Sequence, residues 1–176
     1  QGLTAALNNP YFYPKDSTFS GDLNYTDGAI YGLMKPFFDQ GWQISIHANG
    51  DKAIDQTLNN YAKLLDGNKN PQARRLRVEH FTVNTEGQVA KAVKMGVIPS
   101  FTIGHVNFWG QAFNDHLIGP DRAQRIDPAG DVIRAGGKFT LHSDSPVSPF
   151  GPLAYISDEV TRLWQVPPQK VLGPKQ

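Results

Sequence analysis

Short apolar runs alternate with longer amphipathic stretches along most of the chain. Runs rich in β-branched and aromatic residues predict four strands, at residues 42–47, 75–80, 97–103 and 138–144. Apolar residues at helical spacing predict helices, at residues 26–41, 51–67, 85–96, 127–137 and 152–164. This alternation is typical of βαβ units that share one parallel sheet.

Capping residues indicate where several of these helices begin. Asp51 and Asp127 are predicted N-caps, and Thr85 with Gln88 has the spacing of a capping box. The first helix places apolar residues on one face, namely Ile30, Leu33, Met34 and Phe37. The last helix is expected to turn its apolar residues towards the core, namely Leu153, Ile156, Val160 and Leu163.

The segments between these elements complete the domain organisation. Residues 1–26, rich in Pro, Asn, Gly and aromatic side chains, predict a long ordered loop. Residues 104–125 predict a second long loop, and residues 165–176 a tail. We therefore expect one domain over residues 1–176, with the alternating helices and strands between residues 27 and 164.

The predicted fold class is α/β. Right-handed crossovers leave two main architectures, an open doubly wound sheet or part of a TIM (β/α)8 barrel. A complete barrel needs roughly 200–250 residues, whereas this chain has 176. In the second case the chain supplies a partial barrel of about four βα units.

Composition excludes several classes of function. With 17 basic and 16 acidic residues, the net charge of +1 gives no electrostatic basis for binding nucleic acid or an anionic membrane. No apolar run approaches the roughly 18–20 residues that span a bilayer, and no signal-peptide pattern is present. We expect a cytoplasmic protein. The chain has no cysteine, which excludes disulfides, thiolate metal sites and cysteine nucleophiles.

Histidines follow the predicted strands at the point where each strand ends. The first strand ends at His47, the second at His80, and the third runs out near His105. The fourth ends in the sequence "HSD", with Asp144 as its acidic residue. Because the carboxyl ends of parallel strands form the ligand-binding edge of such folds, we expect these side chains to meet there.

Metal-assisted hydrolysis is the chemistry that these residue types favour. Histidine nitrogen and aspartate oxygen bind zinc well, and three such ligands leave a position open for water. Asp144 is also placed to move a proton from that water to a leaving group. No G-x-S-x-G elbow and no glycine-rich phosphate loop is present.

Each of these residues also has a structural interpretation. A lone histidine after a strand is more often a hydrogen-bonded packing residue than a ligand, and Asp144 could cap a turn. Glu79 should point to the opposite face from His80 and act as a structural partner. His116 and Trp109 lie in the predicted loop. A purely structural role would have to hold at once for the residues of four successive strands on the same edge. A functional site at that edge accounts for all of them together.

Three motifs carry a family resemblance, namely "GWQISIHANGDKAID", "RRLRVEH" and "LHSDSPVSPFGPL". In this order they resemble the metal-dependent amidohydrolases, in the branch that includes N-substituted formamide deformylase. The resemblance covers nearly the whole chain. It implies a (β/α)8 barrel in which the strands here are the fifth to the eighth, and a hydrolase of amide-type, non-peptide carbon–nitrogen bonds.

The resemblance also implies roles for individual residues. His47 and His80 match the metal-binding histidines after the fifth and sixth strands. Asp144 matches the eighth-strand aspartate that contacts metal and acts as general acid and base. His105 falls where this branch has a histidine near the substrate, and we expect Trp109 to contact the substrate beside it. The expected cofactor is zinc, as one or two ions in the full-length parent.

Other features of the family are missing from this chain. There is no H-x-H pair of the first strand, and the metal-bridging residue of the fourth strand would lie upstream of Gln1. The chain therefore resembles a C-terminal half-barrel fragment that lacks full activity alone. Exposed sheet edges would favour a homodimer or pairing with the missing half. The alternative functions are an inactive structural remnant and a metal-free α/β domain that binds a small molecule.

Overall fold

The computed structural model describes residues 4–174. The outer ends of the predicted loop and tail, residues 1–3 and 175–176, lie outside this range. One parallel sheet holds the strands in the sequential order β1-β2-β3-β4. Their bounds are β1 Ser45–Ala48, β2 Arg77–His80, β3 Ile98–Thr102 and β4 Thr140–His142. The predicted α/β fold with a parallel sheet is confirmed.

Seven α-helices surround or follow these strands within residues 4–174. They are α1 Asp27–Asp39, α2 Asp51–Leu64, α3 Glu86–Lys94, α4 Gly104–Ala112, α5 Pro120–Ala123, α6 Ala129–Arg134 and α7 Pro152–Thr161. A 3-10 turn spans Pro71–Arg74, and a π-helical turn spans Phe113–Leu117. The predicted loop at 104–125 was therefore wrong. Val106, Phe113 and Ile118 are buried and fix helical turns there.

The helix starts show which capping predictions hold. The capping box of Thr85 and Gln88 is present at the start of α3. The prediction that Asp51 caps α2 was wrong: Gly50 is the N-cap, and the Asp51 carboxylate instead accepts a hydrogen bond from the backbone N–H of Asn8. A side chain at Gly50 would collide with the carbonyl oxygen of Ala6, only 2.1 Å from its Cβ position.

Asp127 does not cap α6 either. Pro128 is the N-cap of that helix, and Asp127 has a left-handed φ of 48°. Its side chain is fully buried, and neither carboxylate oxygen has a hydrogen-bond partner within the described residues. The carboxylate of an N-cap residue accepts a hydrogen bond from a backbone N–H of the first helical turn. The carboxyl group of Asp127 is instead enclosed in the protein interior.

Two apolar clusters build the core. The first joins the sheet to α1, α2, α3 and α6 through residues such as Ile54, Val78 and Phe101. The second joins the N-terminal loop to α4, α7 and the tail through residues such as Leu7 and Trp164. Together the two clusters bury apolar residues on both sides of the carboxyl ends of the strands. This packing fixes the positions of the residues that follow each strand.

The outer helices expose apolar side chains that were expected to be buried. In α7, Leu153 is 84% exposed, and Ile156 and Val160 are more than half exposed. The prediction that this face points inward was wrong, because the buried residues of α7 are Tyr155 and Glu159. Helical periodicity identifies an apolar face, but it does not show whether a neighbour covers that face.

The first helix shows the same pattern at the other edge of the sheet. Ile30 and Met34 are buried, whereas Leu33 and Phe37 are 55% and 57% exposed. Helix α1 packs on α2 next to the edge strand β1, and α7 packs on α4 and the opposite edge strand β4. Both ends of the sheet therefore present uncovered apolar surface. No helix within residues 4–174 is long and apolar enough to cross a membrane.

Candidate functional site

The side chains of His47 and His80 meet at the carboxyl ends of the first two strands. Their ring centroids are 4.3 Å apart, with an angle of 71° between the ring planes. In the parallel register His47 pairs with Glu79, so regular alternation would turn His80 to the opposite face. His80 has a left-handed φ of 75°, which breaks the alternation. This backbone conformation brings the two rings together.

A threonine of the third strand fixes the orientation of His80. The Nδ1 atom of His80 lies 2.5 Å from the Thr102 hydroxyl oxygen. The same hydroxyl oxygen lies 3.1 Å from Nε2 of His142, which is also 3.1 Å from the carbonyl oxygen of Ser100. The rings of His80 and His142 are 5.2 Å apart. The Nε2 atom of His80 therefore remains free of these contacts.

Asp144 follows β4 and completes the predicted metal set at this edge. It is partly buried and has a left-handed φ of 55°. Burial lowers the pKa of His80 to about 4, and the charges of His47 and His142 add to that effect, while Asp144 and Glu79 oppose it. Within residues 4–174, no three histidine, aspartate or glutamate side chains lie close enough together to hold a metal ion as they stand.

His105 lies deeper than the other histidines. It is in the first turn of α4, is 4% exposed, and its ring is 6.3 Å from that of His80. Burial lowers the pKa of His105 to about 3, followed by the charges of His80 and His142. The imidazole is therefore neutral at pH 7. Trp109 lies one turn later and contacts it, with ring centroids 5.9 Å apart.

The remaining candidates have structural partners. Glu79 accepts hydrogen bonds from Arg77 and Ser45, as expected of a structural residue. Its carboxylate also comes within 4.0 Å of His142, on the face of the sheet where the register pairs Glu79 with His47. His116 is exposed on the π-helical turn, and its ring contact is with Tyr13.

The donor types at this edge fit a divalent metal. Two imidazoles are already in contact, a carboxylate lies within electrostatic reach of both, and the low pKa of His80 keeps its nitrogen lone pair available. A neutral imidazole is the form that binds metal. A cavity of about 500 Å³ borders His47 and runs along the open edge of β1.

Sequence reasoning missed the polar residues that orient these histidines. Asn49 and Thr82 each stand two positions after a predicted ligand, and Thr102 ends the third strand. Asn49 and Thr82 lie beyond the ends of β1 and β2, where strand alternation does not apply, so the sequence carried no signal for them. His142 was seen at the strand end, but its contact with His80 was not predicted.

Comparison with known proteins gives the family and the fold. A model described as the amidohydrolase family matches residues 1–171. The N-substituted formamide deformylase of Arthrobacter pascens is 24% identical over 138 residues, which make up 78% of this chain and 25% of that protein. The chain thus spans about a quarter of the length of this relative.

Two crystal structures share the fold. Both are of uncharacterized metal-dependent hydrolases, from Pyrococcus furiosus and Pyrococcus horikoshii OT3, with TM-scores of 0.76 and 0.74. Sequence identity is 23% and 22%, and each alignment covers 91% of this chain. The matched regions are 31% and 30% of those chains.

The buried His105 should make folding stability depend on pH. Its pKa falls from about 6.5 in the unfolded chain to about 3 in the folded one. Between these values the unfolded state binds more protons, so stability is lost as the pH drops below 6.5. We expect His105→Asn to reduce the pH dependence of the free energy of unfolding by roughly 1.4 kcal/mol per pH unit in this range. Urea unfolding of both proteins at pH 7 and pH 4.5 measures this difference in the free energy of unfolding.

The matched control is His116→Asn, at an exposed position. This variant should show the same pH slope of the free energy of unfolding as the unsubstituted chain. Equal slopes for the unsubstituted chain and His105→Asn would contradict the assignment of a neutral, buried His105.

Proposed function

This chain belongs to the amidohydrolase family, and from that premise we propose that it is part of a metal-dependent hydrolase of amide-type, non-peptide carbon–nitrogen bonds. The observation that carries the proposal is the contact between His47 and His80 at the ends of adjacent parallel strands. Asp144 follows the fourth strand at the same edge. The named relative acts on N-substituted formamides by its name, which supports small amides as the substrate class.

The residues divide into roles by position and chemistry. His47, His80 and Asp144 would hold a divalent metal, with zinc as the ion that best suits these donors. Such an ion supplies Lewis acidity towards the scissile carbonyl and lowers the pKa of water. Asp144 takes the proton from the attacking water and delivers it to the leaving nitrogen. His105 and Trp109 contact the substrate.

We further propose that the four strands are the second half of a (β/α)8 barrel. Each strand pairs with the next one in sequence, without the reversal of order found in doubly wound sheets. The matched relatives are about three times as long as this chain, and the apolar faces of α1 and α7 lie at opposite ends of the sheet. The preceding half of a longer parent chain would cover both ends and supply the remaining metal ligands.

Loss of either histidine should weaken metal binding. His47→Ala and His80→Ala each remove a nitrogen ligand, and we expect the zinc dissociation constant to rise by at least about tenfold, the scale on which even outer-shell partners act. Equilibrium dialysis with elemental analysis measures the bound zinc. His116→Ala, a histidine outside the cluster, should leave it unchanged. Unchanged zinc content in both ligand variants would show that the assigned ligands are wrong.

Hydrolysis should depend on Asp144. In the longer parent chain we expect Asp144→Asn to lower kcat by about 10²–10⁴, because the amide side chain cannot accept and return the proton. A screen with N-formyl and N-acyl amines measures the rate. Asp158→Asn, on the outer helix α7, is the control. Full activity of Asp144→Asn would refute the acid–base role.

The exposed ends of the sheet should drive association. We expect the 176-residue chain alone to form dimers or larger species in sedimentation velocity experiments, because uncovered apolar helix faces and sheet edges pair with other chains. Leu153→Glu with Ile156→Glu should shift the population towards the monomer. The same two charges at the exposed neutral positions Gln72 and Gln169 would serve as the control. A stable monomer with protected edge amides in β1 would contradict the half-barrel proposal.

A further inference from the structure

A chain of buried side-chain hydrogen bonds, which we call the Asn49–Thr82 line, connects His47 with His105. The side-chain nitrogen of Asn49 lies 3.1 Å from Nε2 of His47. The hydroxyl of Thr82 donates to the side-chain oxygen of Asn49 over 3.0 Å, and its oxygen lies 3.1 Å from Nδ1 of His105. Asn49, Thr82 and His105 are all less than 9% exposed. Solvent therefore does not compete strongly for these contacts.

The number of protons along this line determines the form of His105. A threonine hydroxyl has one hydrogen, and that of Thr82 is used on Asn49. The Thr82 oxygen can then only accept from His105, so Nδ1 of His105 carries a hydrogen. A neutral imidazole carries one such hydrogen in total. The Nε2 atom of His105 is therefore an acceptor.

A buried carboxylate supports the same arrangement from the other side. The Oδ2 atom of Asp127 lies 3.7 Å from Nδ1 of His105, beyond hydrogen-bond length but within electrostatic reach. Burial, followed by the charge of Glu159, raises the pKa of Asp127 well above its ordinary value, and Arg162 opposes this. A carboxyl oxygen has lone pairs whether or not the group is ionised, so Oδ2 beside Nδ1 favours a proton on that nitrogen over Nε2.

We propose that Asn49 and Thr82 are positioning residues that hold His105 in the Nδ1–H form, so that Nε2 accepts a hydrogen bond from an N–H or O–H group of the substrate. The substrate part of this inference rests on the proposed function, whereas the tautomer of His105 does not. A site with an acceptor at this point discriminates against substrates that lack a donor, because the acceptor is then left unpaired.

Histidine-selective ¹⁵N labelling of the chain tests the tautomer directly. Long-range proton–nitrogen spectra, with His105 assigned through His105→Gln, should show Nδ1 protonated and Nε2 bare, with at least about a fivefold preference, the scale of one net hydrogen bond. Thr82→Val removes the hydroxyl and should bring the two tautomers towards equal populations. Thr82→Ser restores the hydroxyl and should restore the preference.

Two further variants keep the test decisive if Thr82→Val folds poorly. Asn49→Asp retains an acceptor for Thr82, so His105 should keep the Nδ1–H form while the signals of His47 change. Thr102→Val disturbs the contacts of His80 and His142 and should leave His105 unchanged. A protonated Nε2 in the unsubstituted chain, or an unaltered tautomer in folded Thr82→Val, would overturn the inference.

Kinetics on the longer parent chain test the substrate part. Thr82→Val should lower kcat/KM about tenfold for a secondary amide and leave it unchanged for the N-methylated analogue, which has no N–H to donate. Equal losses for both substrates would refute recognition of a donor by Nε2. Absence of hydrolysis for every amide would instead refute the proposed function, while the tautomer result from the spectra would stand.

Discussion

The candidate site depends on one backbone feature, the left-handed conformation of His80 at the end of β2. Without it, the register that pairs Ala48 with His80 would send this ring towards the helices, and His47 would have no imidazole beside it. Such a conformation is unfavourable for a residue with a Cβ and persists only where the surroundings fix it. The Thr102 contact and the packing of Phe81 in the core supply that constraint.

The overall architecture could be predicted from sequence because it follows from periodicity. β-branched runs and amphipathic stretches with caps are local properties, and they identified the strands and most helices. The prediction of a loop after β3 was wrong for the opposite reason, because residues 104–125 lack a clear helical periodicity. There, burial of Val106 and Phe113 against the second core cluster outweighs local propensity. The prediction that the apolar face of α7 is buried was wrong because burial depends on a neighbouring element that packs on that face, and local sequence does not show this.

The site could be predicted only in part. Its main residues follow the carboxyl ends of parallel strands, a position that topology alone defines. Their orientation could not be predicted, because most histidines and aspartates do not adopt the left-handed φ that His80 and Asp144 have, and tertiary contacts decide which of them do. The Asn49–Thr82 line was missed for a related reason. It forms across two strand ends, and each residue looks like an ordinary loop residue in its own segment.

The face of the sheet that carries Arg77 and Glu79 is compatible with the proposed barrel, because its polar side chains bind one another. Arg77 donates to Glu79 and Ser100, Ser45 donates to Glu79, and Thr140 donates to Ser100. These groups satisfy one another across all four strands and so need no polar partners from a second layer. An interior of that kind can be closed by further strands with little desolvation cost, because its polar groups are already paired.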